Sequence, residues 1–127
     1  MGEARKTILV VDDSAVLRRI VINALDIFPF NVLEAENAKV AEKLLEENEV
    51  DLIILDWVMP GKSGYELFME LQEDQRHGKI PVIMLSSESG KEMILKAIRS
   101  GIKHYVTKPF THEDLLARVI RVLKLDV

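Results

Sequence analysis

The chain has 127 residues, 48% of them hydrophobic and 30% charged, and a formal net charge of −4; this length suffices for one core, and the apolar content is too high for intrinsic disorder. A negative balance with no long run of Lys or Arg excludes the electrostatic footprint of a nucleic-acid binder. The absence of cysteine excludes disulfides, thiolate metal sites and cysteine nucleophiles, and it suits a reducing compartment, so a cytoplasmic location is expected.

The N-terminal MGEARK leads straight into an apolar run. Arg5 and Lys6 stand where a myristoylation signal needs Ser or Thr, which argues against lipidation. The first β-branched run is TILVV, ending at Val11, and Asp12 and Asp13 follow it. Ser14 is placed as the N-cap of a helical segment reaching Ile27, with Leu17, Ile20, Val21, Ala24 and Leu25 at helical spacing. NVLEA predicts a second strand ending at Ala35, and Ala38 to Glu47 a second helix through Val40, Ala41, Leu44 and Leu45. The third run, DLIIL, ends at Leu55 and meets Asp56; with the following WVM it remains too short and too acidic to span a bilayer. Tyr65 to Gln75 repeats the helical pattern with Leu67, Phe68 and Leu71.

Pro81 is expected to open the fourth strand, PVIML, which ends at Leu85 before Ser86 and Ser87. Lys91 to Ser100 predicts a helix with Leu95 and Ile98 in its core stripe, Ile94 adjoining that stripe as core or partner surface, and Gly101 as the stop. KHYV predicts the fifth strand, ending at Val106. Beyond Lys108 and Pro109, Thr111 caps a last helix over Glu113 to Leu123, with Leu115, Leu116, Val119, Ile120 and Leu123 at helical spacing.

Strict βα alternation with nearly continuous apolar strands predicts an α/β doubly wound parallel sheet of five strands, covered by helices on both faces. No linker or repeat divides the chain, so residues 1–127 are expected to form one domain. Ligands in such sheets bind beyond the carboxyl ends of the strands, where the strand order reverses.

Acids, hydroxyls and a lysine follow the predicted strands at those ends. If the first and third strands are neighbours, Asp12, Asp13 and Asp56 crowd into one crevice, and their mutual repulsion calls for a cation. All-oxygen ligation without His or Cys favours Mg²⁺, with Mn²⁺ as the alternative. Lys108, on the same edge, is suited to neutralise the cluster and to meet a phosphoryl oxygen. A hydroxyl at Ser86 is suited to donate to such an oxygen, which leaves Ser87 or Ser89 to cap the next helix. Acids after the first strand would repel a bound phosphate, and GxGxxG, GxxxxGK[ST] and HExxH are missing, so dinucleotide, nucleotide and zinc-peptidase chemistry are disfavoured. A carboxylate beside a divalent cation and a Lys can instead attack phosphorus and form an acyl phosphate.

The segments ILVVDDS, LIILDWVMPGKSG, PVIMLSSE and YVTKPF, in this order and spacing, resemble the bacterial response-regulator receiver domains, and most closely the stand-alone chemotaxis type. The resemblance spans essentially the whole chain. It implies a flavodoxin-like fold with strand order 2-1-3-4-5. It also implies phosphorylation of Asp56 by a sensor histidine kinase or phosphotransfer protein, with Mg²⁺ held directly by Asp13, Asp56 and the Val58 carbonyl and through water by Asp12. Ser86 and Lys108 are then the hydroxyl and lysine that meet the phosphoryl group, and Tyr105 is the aromatic that turns inward when Ser86 moves, which changes the surface of the fourth helix, fifth strand and fifth helix. Such a domain controls a downstream protein or an output domain outside these residues, without touching nucleic acid or inserting into a membrane, and has no enzymatic turnover beyond its own phosphorylation and dephosphorylation.

Two positions depart from the resemblance. Val58 cannot hold an attacking water by hydrogen bonding, which predicts slow self-dephosphorylation, and His104 is bulkier than the small residue often found before the switch aromatic. Two other classes compete with this reading. A Mg²⁺-dependent phosphatase with an aspartyl-phosphate intermediate needs an acid where Val58 stands, and a phosphorylation-independent binding module would not need all of Asp12, Asp13, Asp56 and Lys108.

Overall fold

The computed structural model describes residues 5–87 and 90–125. Its elements alternate strictly: β1 (Thr7–Val11), α1 (Ala15–Leu25), β2 (Asn31–Ala35), α2 (Ala38–Glu47), β3 (Leu52–Asp56), α3 (Gly64–Glu73), β4 (Val82–Ser86), α4 (Lys91–Arg99), β5 (His104–Thr107) and α5 (His112–Leu123). All strand pairs are parallel and the order is β2-β1-β3-β4-β5, the flavodoxin-like arrangement.

Period-two alternation sends the strand side chains into two separate cores. Leu9, Val11, Ile53, Leu55 and Met84 pack under α2, α3 and α4. On the opposite face, Ile8, Val10, Ile54, Ile83 and Leu85 pack under α1 and α5. Since β3 and β4 are buried at every position, both faces demand apolar residues, which is why their sequences read as unbroken hydrophobic runs.

Helix starts follow cap chemistry. Ser14 Oγ accepts from the Leu17 N–H at 3.1 Å, Asn37 Oδ1 from Val40 at 2.9 Å, and Thr111 Oγ1 from Asp114 at 3.0 Å. A reciprocal box between Ser63 and Glu66 starts α3 at Gly64, one residue before the periodicity suggested. At the other ends, α1 stops at Leu25 and α3 at Glu73, each two residues short of its expected limit, and α4 ends at Arg99, with Gly101 in the left-handed region at φ +90° as expected.

Three further expectations need correction. Leu95 and Ile98 do not face the core: they are 36% and 64% exposed, because Ala97 is the buried residue of α4 and Met93 packs beside it. Ile94, at 40%, is also exposed. Pro81 precedes β4 instead of opening it, since it has no N–H for the ladder, although its carbonyl accepts from Ile53 at 3.0 Å. Gly90, not Ser87, holds the N-cap position of α4; Ser89 lies outside the described residues. No helix among them is long and apolar enough to cross a membrane.

Candidate functional site

The strand order reverses at β1, which pairs with β2 on one side and β3 on the other. The connections that follow β1 and β3 diverge there and leave a crevice at the carboxyl end of the sheet. Three strands reach one residue past their apolar runs and bring Asp56, Ser86 and Thr107 into the ladder. The reason is backbone pairing: Trp57 N–H donates to Leu85 O, and Lys108 N–H to Ser86 O, both at 2.8 Å.

The structure brings the expected acids together. One carboxylate oxygen from each of Asp12, Asp13 and Asp56 lies within 4.8 Å of the other two. Asp12 and Asp56 are buried and Asp13 is exposed. Asp12 Oδ1 accepts from the Ser14 N–H at 2.9 Å, while Asp12 Oδ2 is buried without a hydrogen-bond partner. Lys108 Nζ donates to Asp56 Oδ1 at 2.9 Å, and its 3.6 Å approach to Asp12 Oδ2 is an ion pair too long to count as a hydrogen bond. Ser86 is buried one residue beyond Leu85, the register partner of Asp56. The Lys108–Pro109 peptide bond is cis.

Burial pushes the Asp12 carboxyl above its ordinary value of 3.8; the Ser14 N–H opposes that shift, and of the neighbouring charges Asp56 and Asp13 reinforce it while Lys108 offsets it. The unpartnered Asp12 Oδ2 and an all-oxygen donor set could hold a hard divalent cation.

Two positioning residues escaped the sequence reading. Arg18 Nη1 donates to the Asp12 carbonyl at 2.6 Å while its Nε pairs with Glu34 at 2.9 Å, which fixes the chain at the end of β1. Helical side chains lean toward the N-terminus, so an Arg one turn after an N-cap is placed to reach back over that cap, and this was the available signal. Gly64 is the other: a Cβ there would run into the Asp56 carbonyl oxygen, and its N–H donates to Trp57 O at 2.9 Å. Only its place in the MPGKSG segment hinted at this contact.

Beyond Asp56 the side chains alternate between core and solvent. Trp57 is buried, its ring stacked on Tyr65 at 5.0 Å and meeting Tyr105 edge-on at 6.0 Å. Val58 is 63% exposed. Tyr105 is half-buried against the α2–α4 core, and His104 and Thr107 are likewise partly covered.

Comparison with known proteins agrees with this geometry. A family described as the response regulator receiver domain matches residues 8–120. The chain belongs to the response-regulator receiver-domain family. This receiver is 40% identical over 119 residues to the phosphate regulon transcriptional regulatory protein PhoB of Pseudomonas aeruginosa, a match covering 94% of the chain and 52% of PhoB. It therefore spans about half the length of that relative. Against the chemotaxis protein CheY1 of Helicobacter pylori it is 38% identical over 118 residues, covering 91% of the chain and 95% of CheY1. Among solved structures, CheY4 of Vibrio cholerae superposes with a TM-score of 0.86 at 29% identity, covering 94% of the receiver and all of CheY4. A putative response regulator from Chloroflexus aurantiacus reaches 0.88 at 25% identity, over 95% and 99% of the two chains.

Proposed function

We propose that this receiver is a phosphorylation-activated switch in two-component signalling, with Asp56 as the phosphoacceptor. The observation that carries the reading is the Lys108 ammonium held 2.9 Å from Asp56 in a crevice where the oxygens of Asp12 and Asp13 converge. A phosphohistidine on a sensor kinase or phosphotransfer protein supplies the group: an Asp56 oxygen attacks phosphorus, the P–N bond breaks and the imidazole leaves. Lys108 orients the nucleophile before attack and offsets charge on the phosphoryl oxygens afterwards. Asp13, Asp56 and the Val58 carbonyl would hold Mg²⁺ directly, or Mn²⁺ in its place, with Asp12 acting through water; the bound ion supplies charge neutralisation on the transferred group.

Phosphorylation adds nearly two negative charges at Asp56 and new acceptor oxygens. These draw Ser86 and Lys108 toward them, and the space beside Ser86 admits Tyr105. Two packings of the α4–β5–α5 surface then exchange population, and a partner that prefers one reads the signal. The chain works as one domain in the cytoplasm and turns over nothing but its own acyl phosphate. Its output lies on a separate protein or on a domain outside these residues, so the receiver itself makes no contact with nucleic acid or membrane.

Intact mass after incubation with acetyl phosphate tests the assignment. A single phosphoryl adduct is expected with Mg²⁺, and none with EDTA or in Asp56→Asn. An unmodified wild type, even after incubation with phosphorylated histidine kinases, would remove Asp56 from the role. Val58→Asn is expected to shorten the adduct lifetime by about tenfold, because an amide two residues beyond the phosphoacceptor positions water where an exposed isopropyl group cannot. Following phosphate loss with time checks this, and equal lifetimes would refute it.

A further inference from the structure

The two ends of α4 are held unequally. At its start Gly90 is the N-cap residue with no side-chain hydrogen bond, and a Cβ built there would meet nothing within 4 Å. At its end the Ser100 N–H lies 3.0 Å from Lys96 O and 3.2 Å from Ala97 O, Gly101 donates to Ile98 O at 3.1 Å, and Ile102 donates to Ala97 O at 3.0 Å. The Ser100 side chain adds two contacts, both at 2.7 Å: its Oγ donates to Lys96 O and meets the Tyr65 hydroxyl. A serine hydroxyl has one proton and a carbonyl can only accept, so the proton of the second contact comes from the tyrosine. The series therefore runs from Tyr65 O–H to Ser100 Oγ–H to Lys96 O, and each bond polarises the next.

Tyr65 also reaches the end of β3. Its ring stacks on Trp57 with centroids 5.0 Å apart and 22° between the planes, and Lys96 Nζ lies 4.6 Å from the centroid of the same tyrosine ring. Trp57 follows Asp56 directly, and its carbonyl accepts from the N–H of Gly64, the residue before Tyr65. The Ser63–Glu66 box fixes that first turn of α3. Trp57 in turn meets Tyr105 edge-on at 6.0 Å. One side chain thus joins the residue after Asp56 to the last turn of α4, and none of these contacts involves the first turn of α4.

We infer that Tyr65 is a positioning residue of the switch: it pins the C-terminal turn of α4 to the strand end that carries Asp56, so that α4 responds to phosphorylation by moving its N-terminal turn about an anchor at Ser100. The inference rests on the proposed phosphorylation of Asp56, and adds where the responding helix is fixed and by which atoms. Packing alone does not call for the hydroxyl. A phenylalanine would fill the same space and stack on Trp57, whereas only a hydroxyl bonds Ser100. The helix has nine residues, about 14 Å of rise, so an anchor at one end turns a small shift beside Asp56 into a larger one at the other.

Amide hydrogen exchange along α4, read by mass spectrometry, tests this in wild type, Tyr65→Phe, Ser100→Ala and the double variant. Each protein is measured untreated and held phosphorylated by acetyl phosphate and Mg²⁺. Wild type is expected to gain exchange on phosphorylation within residues 91–95 and none at Ser100, Gly101 and Ile102. Tyr65→Phe is expected to exchange at least about tenfold faster at those three amides before phosphorylation and to add a phosphorylation-dependent increase there, with β1 and α2 unchanged. Ser100→Ala should act alike, and the double variant should exceed neither single one, since both cut the same series. A hydroxyl that served stability alone would instead raise exchange throughout the fold. Wild-type protection of residues 100–102 in Tyr65→Phe, a uniform loss, or additive single effects would overturn the inference. So would a phosphorylated wild type that opens at its C-terminal turn or stays unchanged at its first. Intact mass of the same samples separates the two proposals: an adduct with undiminished α4 protection in the variants defeats the anchor alone, whereas local loss of protection with no adduct at Asp56 leaves the anchor standing and defeats the phosphorylation reading.

Discussion

Gly64→Ala is expected to destabilise the fold by about 3 kcal/mol and to slow phosphoryl transfer to Asp56 sharply, although alanine is the better helix former by about 1 kcal/mol. The added Cβ meets the Asp56 carbonyl oxygen and lies 2.8 Å from its carbonyl carbon and 3.1 Å from Leu55 Cγ. Neither side can retreat freely. The end of β3 is held by the Trp57 N–H on Leu85 O, and the start of α3 by the Gly64 N–H on Trp57 O and by the Ser63–Glu66 box. Relief therefore breaks a strand bond or a cap beside the proposed phosphoacceptor. Urea unfolding and the rate of adduct formation measure the two effects. Gly61→Ala is the control: its φ is +77° with no atom within 4 Å of the added Cβ, so it should cost about 1 kcal/mol from backbone strain and leave the rate nearly unchanged. If Gly64→Ala lost no more than Gly61→Ala, the packing argument would fail.

The sequence disclosed what depends on period and on residue type. Buried parallel strands must be apolar on both faces, so the runs ending at Val11, Leu55 and Leu85 were visible, and so were Asp12, Asp13, Asp56, Ser86 and Lys108 at their ends. Contacts made by the backbone were not visible. Gly64 lies against a carbonyl that composition cannot locate, and Arg18 serves the site through the main chain of Asp12. In α4, periodicity found an apolar stripe but not its direction: Ala97, with its small side chain, lets the helix approach the sheet, and Leu95 and Ile98 are left outside. Amphipathicity alone cannot distinguish a face that covers a core from a face that awaits a partner.

Asp12→Asn is expected to stabilise the protein by about 1 kcal/mol at neutral pH without divalent cation, and to raise its unfolding midpoint by several degrees. Asn retains the Oδ1 acceptor for the Ser14 N–H and puts an amide donor where the buried Oδ2 stands without a hydrogen bond, beside the oxygens of Asp13 and Asp56. The gain depends on pH in a definite direction. In the wild type the folded-state pKa of Asp12 lies above its unfolded value of 3.8, so protonation favours the fold at low pH and this contribution is lost as pH rises through the folded value. The advantage of the variant should be full at neutral pH, decline as pH falls through that value, and vanish below 3.8. Mg²⁺ should act in the opposite sense, stabilising the wild type by mass action and the variant less, because the variant has lost a carboxylate from the cation's surroundings. Unfolding of both proteins across pH, with Mg²⁺ and with EDTA, measures all three effects. A variant no more stable than wild type in EDTA would mean that Lys108 balances the cluster unaided. The expected result would instead mean that the fold carries an electrostatic cost at Asp12 until a cation relieves it.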